Sequence, residues 1–285
     1  MFFCGCFVCK LKNKKIFNCE FNIIYAVVLF LPTVILNSSY WGQCDSIYTT
    51  FVLITLITLF YERYLISFVM LGAAFAFKFQ TIFILPFIIC YYIYKKKFSI
   101  LYFGIIIFSF WLSVIIGYFQ GRSLFAPFSI YANQTNTWKH MQMNITNFWG
   151  IFGDNYDNLH IFAIIMTFVI CGVGLYIIVP VSMNLDNHEN YIGSACWFMW
   201  TCVMFLPAMH ERYTYSIEIL LIILVVINKR YLICAIISLT ISASTYSAYL
   251  FGNMNYGRWD SILNLLDYIY LTICIFKNGK RMRCC

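Results

Sequence analysis

Long apolar runs follow one another along almost the whole chain and constrain its fold more than any other feature. Lipid offers no partner for free backbone N–H and C=O groups, so such runs are expected to be helical in a bilayer. The sequence therefore predicts an all-α fold, a polytopic transmembrane bundle of about ten helices with short loops. The predicted spans lie near Phe21–Asn37, Ser46–Phe60, Leu65–Phe77, Thr81–Tyr94, Phe98–Phe119, Ile161–Met183, Tyr191–Met209, Tyr213–Asn228, Tyr231–Phe251 and Ser261–Phe276. The short second, third and fourth runs could include a re-entrant pair.

The composition excludes a soluble globule, because 62% of the residues are hydrophobic and only 11% are charged. Each crossing takes about 20 residues, so ten crossings leave no room for a folded extramembrane domain. The net charge of +8 lies mostly in short clusters between apolar runs, which is typical of cytoplasmic anchoring. Membrane lipid is therefore an expected partner, and nucleic acid is not.

The distribution of Lys and Arg between alternate loops predicts the orientation of the bundle. With the N-terminus inside the cell, 14 of the 19 cations fall on the cytoplasmic side. This places both termini in the cytoplasm, with a basic segment at 1–20, a multi-span domain at 21–276 and a basic tail at 277–285. The loop Asn184–Asn190 carries no cation and is the weak point of this count. The expected location is the plasma membrane in a bacterium, or the endoplasmic reticulum in a eukaryote.

The same alternation puts the polar segments of the chain on the outer face. Chemistry is therefore predicted there. The segments are Trp41–Asp45, Lys78–Gln80, the long loop 120–160, Met209–Tyr213 and Phe251–Asp260. The long loop is rich in aromatic residues and is expected to lie in the headgroup layer. No catalytic dyad is evident within it, although Asp154 and Asp157 are available carboxylates.

Ionisable residues beside membrane helices are costly and therefore indicate function. Lys78 either faces an anionic ligand or extends its ammonium to the headgroups, and Asp45 either belongs to a site or caps the second helix. At His210, Glu211 and Arg212, three adjacent side chains point in different directions, so at least one is expected inside the bundle. The alternative there is a polar turn with an internal Glu–Arg pair.

Other polar residues fall within the apolar runs. Glu218 lies about a turn and a half inside its helix, and Asp260, Asn264 and Asp267 form a stripe that is expected to turn inward. The alternative role for this stripe is helix packing. Asn37-Ser-Ser39 matches the glycosylation sequon, a weak pattern that matters only in a eukaryote.

Several motifs are absent from the sequence. It has no G-x-G-x-x-G, Walker loop, H-E-x-x-H, G-x-S-x-G or D-x-D pattern. An ATPase, a zinc protease of that type and a soluble nucleotide-sugar enzyme are therefore disfavoured. No metal and no cofactor are expected.

Three segments carry a family resemblance: WGQCDSIY at Trp41–Tyr48, KFQTIFILP at Lys78–Pro86 and FLPAMHERYTY at Phe205–Tyr215. In this order and spacing they resemble the polytopic GT-C glycosyltransferases, in particular bacterial proteins related to the GPI mannosyltransferase family. They are more distantly similar to glucosyltransferases of the endoplasmic reticulum. The resemblance covers roughly Phe21 to Tyr270. It implies mannosyl or glucosyl transfer from a polyprenyl-phosphate donor to a glycan or lipid acceptor on the extracytoplasmic face.

The resemblance also implies roles for individual residues. Arg212, Lys78 and Arg258 are expected at the donor phosphate, with His210 bonding phosphate or sugar, Trp41 beside them, and Gln43, Asp45 and Gln80 orienting the site. The family's acidic first outer loop, which is expected to supply the catalytic base, has no counterpart here. The chain is therefore expected to be truncated at its N-terminus, or else Asp45 or Glu211 acts as the base.

Two other classes of protein fit the same residues. A transporter or flippase for an anionic or lipid-linked substrate would also use a cavity with Lys78 and Arg212, although transport requires access from both sides. An inactive scaffold derived from a transferase is compatible with the missing loop.

Overall fold

The computed structural model describes residues 2–11, 19–134, 137–178, 184–252 and 257–281. It is 80% helical, which confirms the predicted all-α class. The described α-helices are α1 (Phe2–Leu11), α2 (Cys19–Leu29), α3 (Pro32–Val34), α4 (Asp45–Phe60), α5 (Tyr64–Phe77), α6 (Leu85–Lys95), α7 (Tyr102–Ser113), α8 (Ile115–Phe119), α9 (Ala126–Gln134), α10 (Tyr156–Ile178), α11 (His188–Phe205), α12 (Tyr215–Ile227), α13 (Leu232–Phe251) and α14 (Arg258–Arg281).

Short segments of other structure join these helices. A π-helix spans Ile35–Tyr40, and 3-10 turns occupy Phe79–Ile84, Phe148–Ile151, Glu211–Thr214 and Lys229–Tyr231. Two short strands, β1 (Gln142–Met143) and β2 (Met209–His210), pair in parallel, with Gln142 opposite Met209 and Met143 opposite His210.

Three of the described helices are long and apolar enough to cross a membrane: Tyr156–Ile178, Lys229–Phe251 and Arg258–Lys277. A fourth crossing is possible if Phe21–Leu29 and Pro32–Tyr40, which meet at 57°, form one broken span. The ten predicted crossings are therefore not confirmed. Several apolar runs form shorter helices: α4 has 16 residues, about 24 Å of helix against about 30 Å of hydrocarbon.

Helices α11 and α12 form the centre of the bundle. Every residue from Asn190 to Phe205 is buried, as is every residue from Tyr215 to Leu224. By contrast, α10 packs against α11 along a narrow stripe and exposes large apolar side chains such as Ile165, Phe168 and Val173. An apolar helix surface of this kind is suited to contact with lipid tails.

The predicted basic segment at the N-terminus begins with an apolar helix. Helix α1 contacts α4 and α12, and Cys4 and Val8 on it are buried in the core. The basic residues Lys12, Lys14 and Lys15, and Arg283 in the tail, lie outside the described residues.

Cations and carboxylates from separate loops meet at one end of the bundle. Lys95 pairs with Asp186, Lys97 Nζ lies 2.7 Å from Glu62 Oε1, and Arg230 lies 2.6 Å from Glu189. The hydrogen bond from Lys97 is the main cause that holds the pKa of Glu62 below its usual value. The loop 184–190, which has no cation of its own, therefore lies at the same end as the basic loops.

Helices α5 and α7 approach each other closely at Gly72. A Cβ atom added there would lie 1.8 Å from Ser109 Oγ and 2.5 Å from the backbone oxygen of Ile106. The second of these atoms belongs to the helix backbone and cannot move aside without shifting α7.

We therefore expect Gly72→Ala to lower the free energy of unfolding by about 1–3 kcal/mol through overpacking. The measurement is the midpoint of thermal unfolding in detergent. Gly104→Ala on α7 is the control, because a Cβ at Gly104 meets no atom within 4 Å. Equal midpoints for the two variants would contradict the close packing of α5 on α7.

Candidate functional site

An ion pair between Asp45 and Lys78 lies at the opposite end of the bundle from the basic loops. Asp45 begins α4 after a turn in which Gly42 has a φ of +71°, and Lys78 follows α5 in an extended conformation. The Lys78 ammonium bonds Asp45 Oδ1, and the Asp45 side chain is fully buried. Within the described part of the chain, the N-cap residue Cys44 makes no side-chain capping bond, and both Asp45 oxygens bond side chains rather than the N–H groups of α4, which argues against the capping alternative.

Asn37 holds the second oxygen of the Asp45 carboxylate. Its Nδ2 donates to Asp45 Oδ2 at 2.8 Å and lies 2.9 Å from the hydroxyl of Tyr246. Asn37 lies in the π-helix, a form that often occurs at functional sites. This amide is fully buried and bonded, so the sequon match at Asn37 offers no accessible glycosylation site in this fold.

The Met209–Tyr213 segment reaches the same region. The Arg212 guanidinium carbon lies 4.9 Å from the centre of the Trp41 ring, and Arg212 Nη1 lies 3.4 Å from Glu211 Oε1. His210 Nδ1 is 3.8 Å from Glu211 Oε2. Glu211 is fully buried, so the expectation that one of the three ionisable residues enters the bundle is confirmed.

Aromatic rings lie between the Asp45–Lys78 pair and the Met209–Tyr213 segment. The Lys78 ammonium lies 5.6 Å from the centre of the Tyr48 ring and 5.9 Å from that of Tyr213. Tyr213 in turn packs at 5.2 Å from the His210 ring. Three segments that are far apart in sequence, around Trp41, Lys78 and His210, thus form one cluster of charged and aromatic side chains.

Three polar atoms in this cluster are shielded from solvent and make no hydrogen bond to the described residues. They are Gln80 Oε1, Glu211 Oε2 and Arg212 Nε. A buried polar atom without a partner costs about 1–3 kcal/mol, so native proteins retain few of them without a reason. Donors and acceptors without partners at one place are what a polar ligand would bind.

The long loop covers this cluster. Strand β1 of the loop pairs with β2, the Ala208 N–H donates to the His140 carbonyl at 3.0 Å, and Trp149 Nε1 donates to the Phe205 carbonyl at 2.7 Å. Asn264 Nδ2 donates to the Thr146 carbonyl at 2.6 Å. This part of the loop packs on the bundle, where its aromatic and backbone groups find partners, and its location in the headgroup layer stays a prediction.

The loop also contains a pair that the sequence did not reveal. His140 Nδ1 bonds Asp154 Oδ2, and Asp154 Oδ1 accepts the Met141 N–H at 2.8 Å. Partial burial opposes ionisation of Asp154, but these two hydrogen bonds prevail and lower the pKa of its carboxyl below the usual value. The two residues are 14 positions apart in irregular chain, so no local pattern predicts their contact.

An apolar cavity of about 430 Å³ adjoins the cluster. Its lining includes Gln80, Tyr213 and Trp138, which contact the cluster or belong to it, and Ile164 and Phe168 of α10. Because α10 exposes a largely apolar surface, the cavity extends from the polar cluster to a helix suited to lipid contact.

Two predicted site residues remain outside the network of bonds. The Gln43 side chain is half-buried and makes no hydrogen bond within the described part of the chain. Arg258 is exposed at the start of α14 and forms no ion pair with the residues that the structure describes. Residues 253–256 of the predicted polar segment before it lie outside the described ranges.

Two carboxyl groups are buried in the bundle. Glu218 on α12 and Asp267 on α14 have both carboxyl oxygens shielded and without a hydrogen-bond partner among the described residues. Asn264 and Asp267 are buried, whereas Asp260 at the start of α14 is only half-buried, so the predicted inward stripe is confirmed for two of its three residues. Across 2–11, 19–134, 137–178, 184–252 and 257–281, no group of three or more His, Cys, Asp or Glu residues has a metal-binding arrangement.

Comparison with known proteins adds no family assignment. No protein-family model matches the chain, and no curated protein sequence matches it.

The burial of the Asp45–Lys78 pair predicts an effect on stability. Asp45→Ala leaves the Lys78 ammonium shielded without a counter-charge, so we expect a loss of about 3–5 kcal/mol in the free energy of unfolding. Adding Lys78→Met removes the unpaired charge and should recover much of that loss. Equilibrium unfolding in mixed micelles measures both.

Glu62→Ala is the matched control, because it breaks the solvent-exposed pair with Lys97. Exposed pairs contribute little, so this variant should unfold almost as the wild type does. An Asp45→Ala protein as stable as the Glu62→Ala protein would show that the Asp45–Lys78 pair is not buried.

Proposed function

We propose that this chain is a membrane hexosyltransferase of the GT-C type, which moves a sugar from a polyprenyl-phosphate donor to a glycan or lipid acceptor. One observation carries the proposal: Arg212, Lys78 and His210 converge beside an apolar cavity that extends to α10. A donor with an anionic phosphate between a sugar and a hydrocarbon chain needs both features side by side.

Arg212 is the residue best suited to hold the phosphate. Its planar guanidinium presents several donors in a fixed geometry that matches phosphate oxygens, and Trp41 supports the face of that plane. Its contact with Glu211 is long, and its Nε has no partner among the described residues. These donors are available to a ligand without breaking a short hydrogen bond.

The formal charges of Asp45, Glu211, Lys78 and Arg212 sum to zero. Phosphate recognition at this site would therefore depend on directed hydrogen bonds from Arg212, Lys78 and His210 rather than on a large positive potential. In this proposal Asp45 and Glu211 hold the two cations in place. Gln80, whose Oε1 is buried and has no hydrogen-bond partner in the described ranges, is assigned to a sugar hydroxyl.

The chemistry follows from this arrangement. Departure of the polyprenyl phosphate places a second negative charge on the phosphate, and cationic donors fixed in a shielded site stabilise that charge. A donor that arrives through the lipid needs no nucleotide-binding domain. In this proposal the site lies on the extracytoplasmic face, in the plasma membrane of a bacterium or the endoplasmic reticulum of a eukaryote, and the count of cations in the loops supports that orientation.

A carrier of an anionic or lipid-linked substrate is the second candidate. The observation that favours it is the burial of Glu218 and Asp267, because carboxyl groups within membrane helices often serve proton relays. The test is labelling of a cysteine introduced at Gln43 or Trp138, in a chain whose thirteen native cysteines are replaced by serine or alanine, with a membrane-impermeant thiol reagent in sealed vesicles. If each cysteine is labelled from one side alone, the result supports the transferase. If each is labelled from both sides, the result supports the carrier.

The transferase proposal predicts the effect of Arg212→Ala. We expect transfer of radiolabelled mannose or glucose from polyprenyl phosphate to membrane acceptors to fall at least a hundredfold, because the leaving phosphate loses its main donor. Arg122→Ala is the control, since Arg122 is exposed on the same loop system and lies outside the cluster. Undiminished transfer by the Arg212→Ala protein would reject the assignment.

A further inference from the structure

The imidazole of His140 is held in one orientation by Asp154. A carboxylate oxygen only accepts hydrogen bonds, so His140 Nδ1 carries the proton of their contact. The second carboxylate oxygen is fixed by the Met141 N–H at 2.8 Å. In the neutral imidazole this contact leaves the lone pair on Nε2, which is the arrangement of a histidine that acts as a base.

The fold places this pair next to the cluster. The His140 carbonyl accepts the Ala208 N–H, and two residues further on the loop forms β1 against Met209 and His210. On the other side of His140, the Trp138 ring lies edge-on at 5.8 Å from the His210 ring. Backbone pairing thus fixes His140 beside the segment that contains Arg212.

The carboxylates within the cluster are poorly suited to accept a proton from an incoming hydroxyl. Asp45 is fully buried and bonded to Lys78 and Asn37, and Glu211 is fully buried beside Arg212. By contrast, the side chains of His140 and Asp154 are 55% and 43% exposed. This exposure leaves His140 accessible to an acceptor hydroxyl that approaches from solvent.

We propose that His140 is the catalytic base of the sugar transfer and that Asp154 is its positioning residue. This inference rests on the proposed function. Nε2 of His140 takes the proton of the acceptor hydroxyl as that oxygen forms a bond to the anomeric carbon of the sugar. The bond from that carbon to the phosphate oxygen breaks, and the electron pair leaves with the polyprenyl phosphate. The imidazolium then releases its proton to water.

The first test is His140→Gln, which keeps a polar side chain of similar size and removes the base. We expect kcat to fall about a hundredfold or more, with the KM for the lipid donor little changed. The thermal unfolding midpoint, measured on the same protein, shows that the variant is folded. His160→Gln is the matched control, because His160 stacks on Tyr156 at the start of α10 and lies outside the proposed machinery.

The second test is the pH profile of kcat. The profile of the residual activity of His140→Gln should differ from that of the wild type, because the group that accepts the proton has been removed. Asp154→Asn should also change the profile and lower kcat, with the KM for the lipid donor little changed, because the imidazole loses the carboxylate that orients it. The ionisable groups next to His140 are Asp154 and its chain neighbour Lys139, and His210 lies beyond Trp138.

The outcomes separate the two proposals. If the wild type transfers sugar and His140→Gln does so with the same kcat and pH profile, the role of His140 is overturned while the proposed function stands. If the folded wild type transfers no sugar from any mannosyl or glucosyl polyprenyl phosphate, the proposed function fails and this inference with it.

Discussion

The main constraint on this structure comes from two charged groups, the Asp45 carboxylate and the Lys78 ammonium. Both are shielded from solvent at one end of the bundle. Moving two such groups out of water is costly unless each is paired and hydrogen-bonded. The fold meets this requirement with Asn37 on the second carboxylate oxygen and with aromatic rings near the ammonium. The π-helix that carries Asn37 and the 3-10 turn that follows Lys78 both lie at this pair.

The same constraint explains why the long loop returns to the bundle. Glu211 and Arg212 are also largely shielded, and the segment before them presents backbone groups that need partners. Strand β1 and the His140 carbonyl supply those partners, and Trp149 bonds the last residue of α11. The loop thereby covers the charged cluster on one side. On another side, the apolar cavity connects the cluster with the exposed surface of α10.

Part of this arrangement could be predicted from the sequence. Apolar composition and run length predict helices. The alternation of loops predicts that the segments of Trp41, Lys78 and Arg212 share one face, and the family resemblance implies that they share one site; in the structure these segments lie together. The lengths of the helices could not be predicted from hydropathy. The bend before Pro32 depends on a missing N–H, and the run Phe98–Phe119 divides at Val114, where the backbone leaves the helical conformation.

Long-range contacts were the second feature that the sequence could not predict. Asn37 matches a local sequence pattern and Asp154 is recognisable only as an available carboxylate, because their actual partners, Asp45 and His140, are set by how the turns fold back. A carboxylate 14 residues from a histidine in irregular chain has no periodicity that would pair them. The pairing of β1 with β2 involves two residues on each strand, which is too short to leave a strand pattern in the sequence.

The central claim is that this end of the bundle binds a lipid through its phosphate. The most direct measurement is a titration of the purified full chain in nanodiscs with farnesyl phosphate and, separately, with farnesol, followed by tryptophan fluorescence, because Arg212 lies on the ring of Trp41. We predict saturable binding of farnesyl phosphate and at least tenfold weaker binding of farnesol. Equal affinity for the two compounds, or no binding of farnesyl phosphate, would contradict the claim.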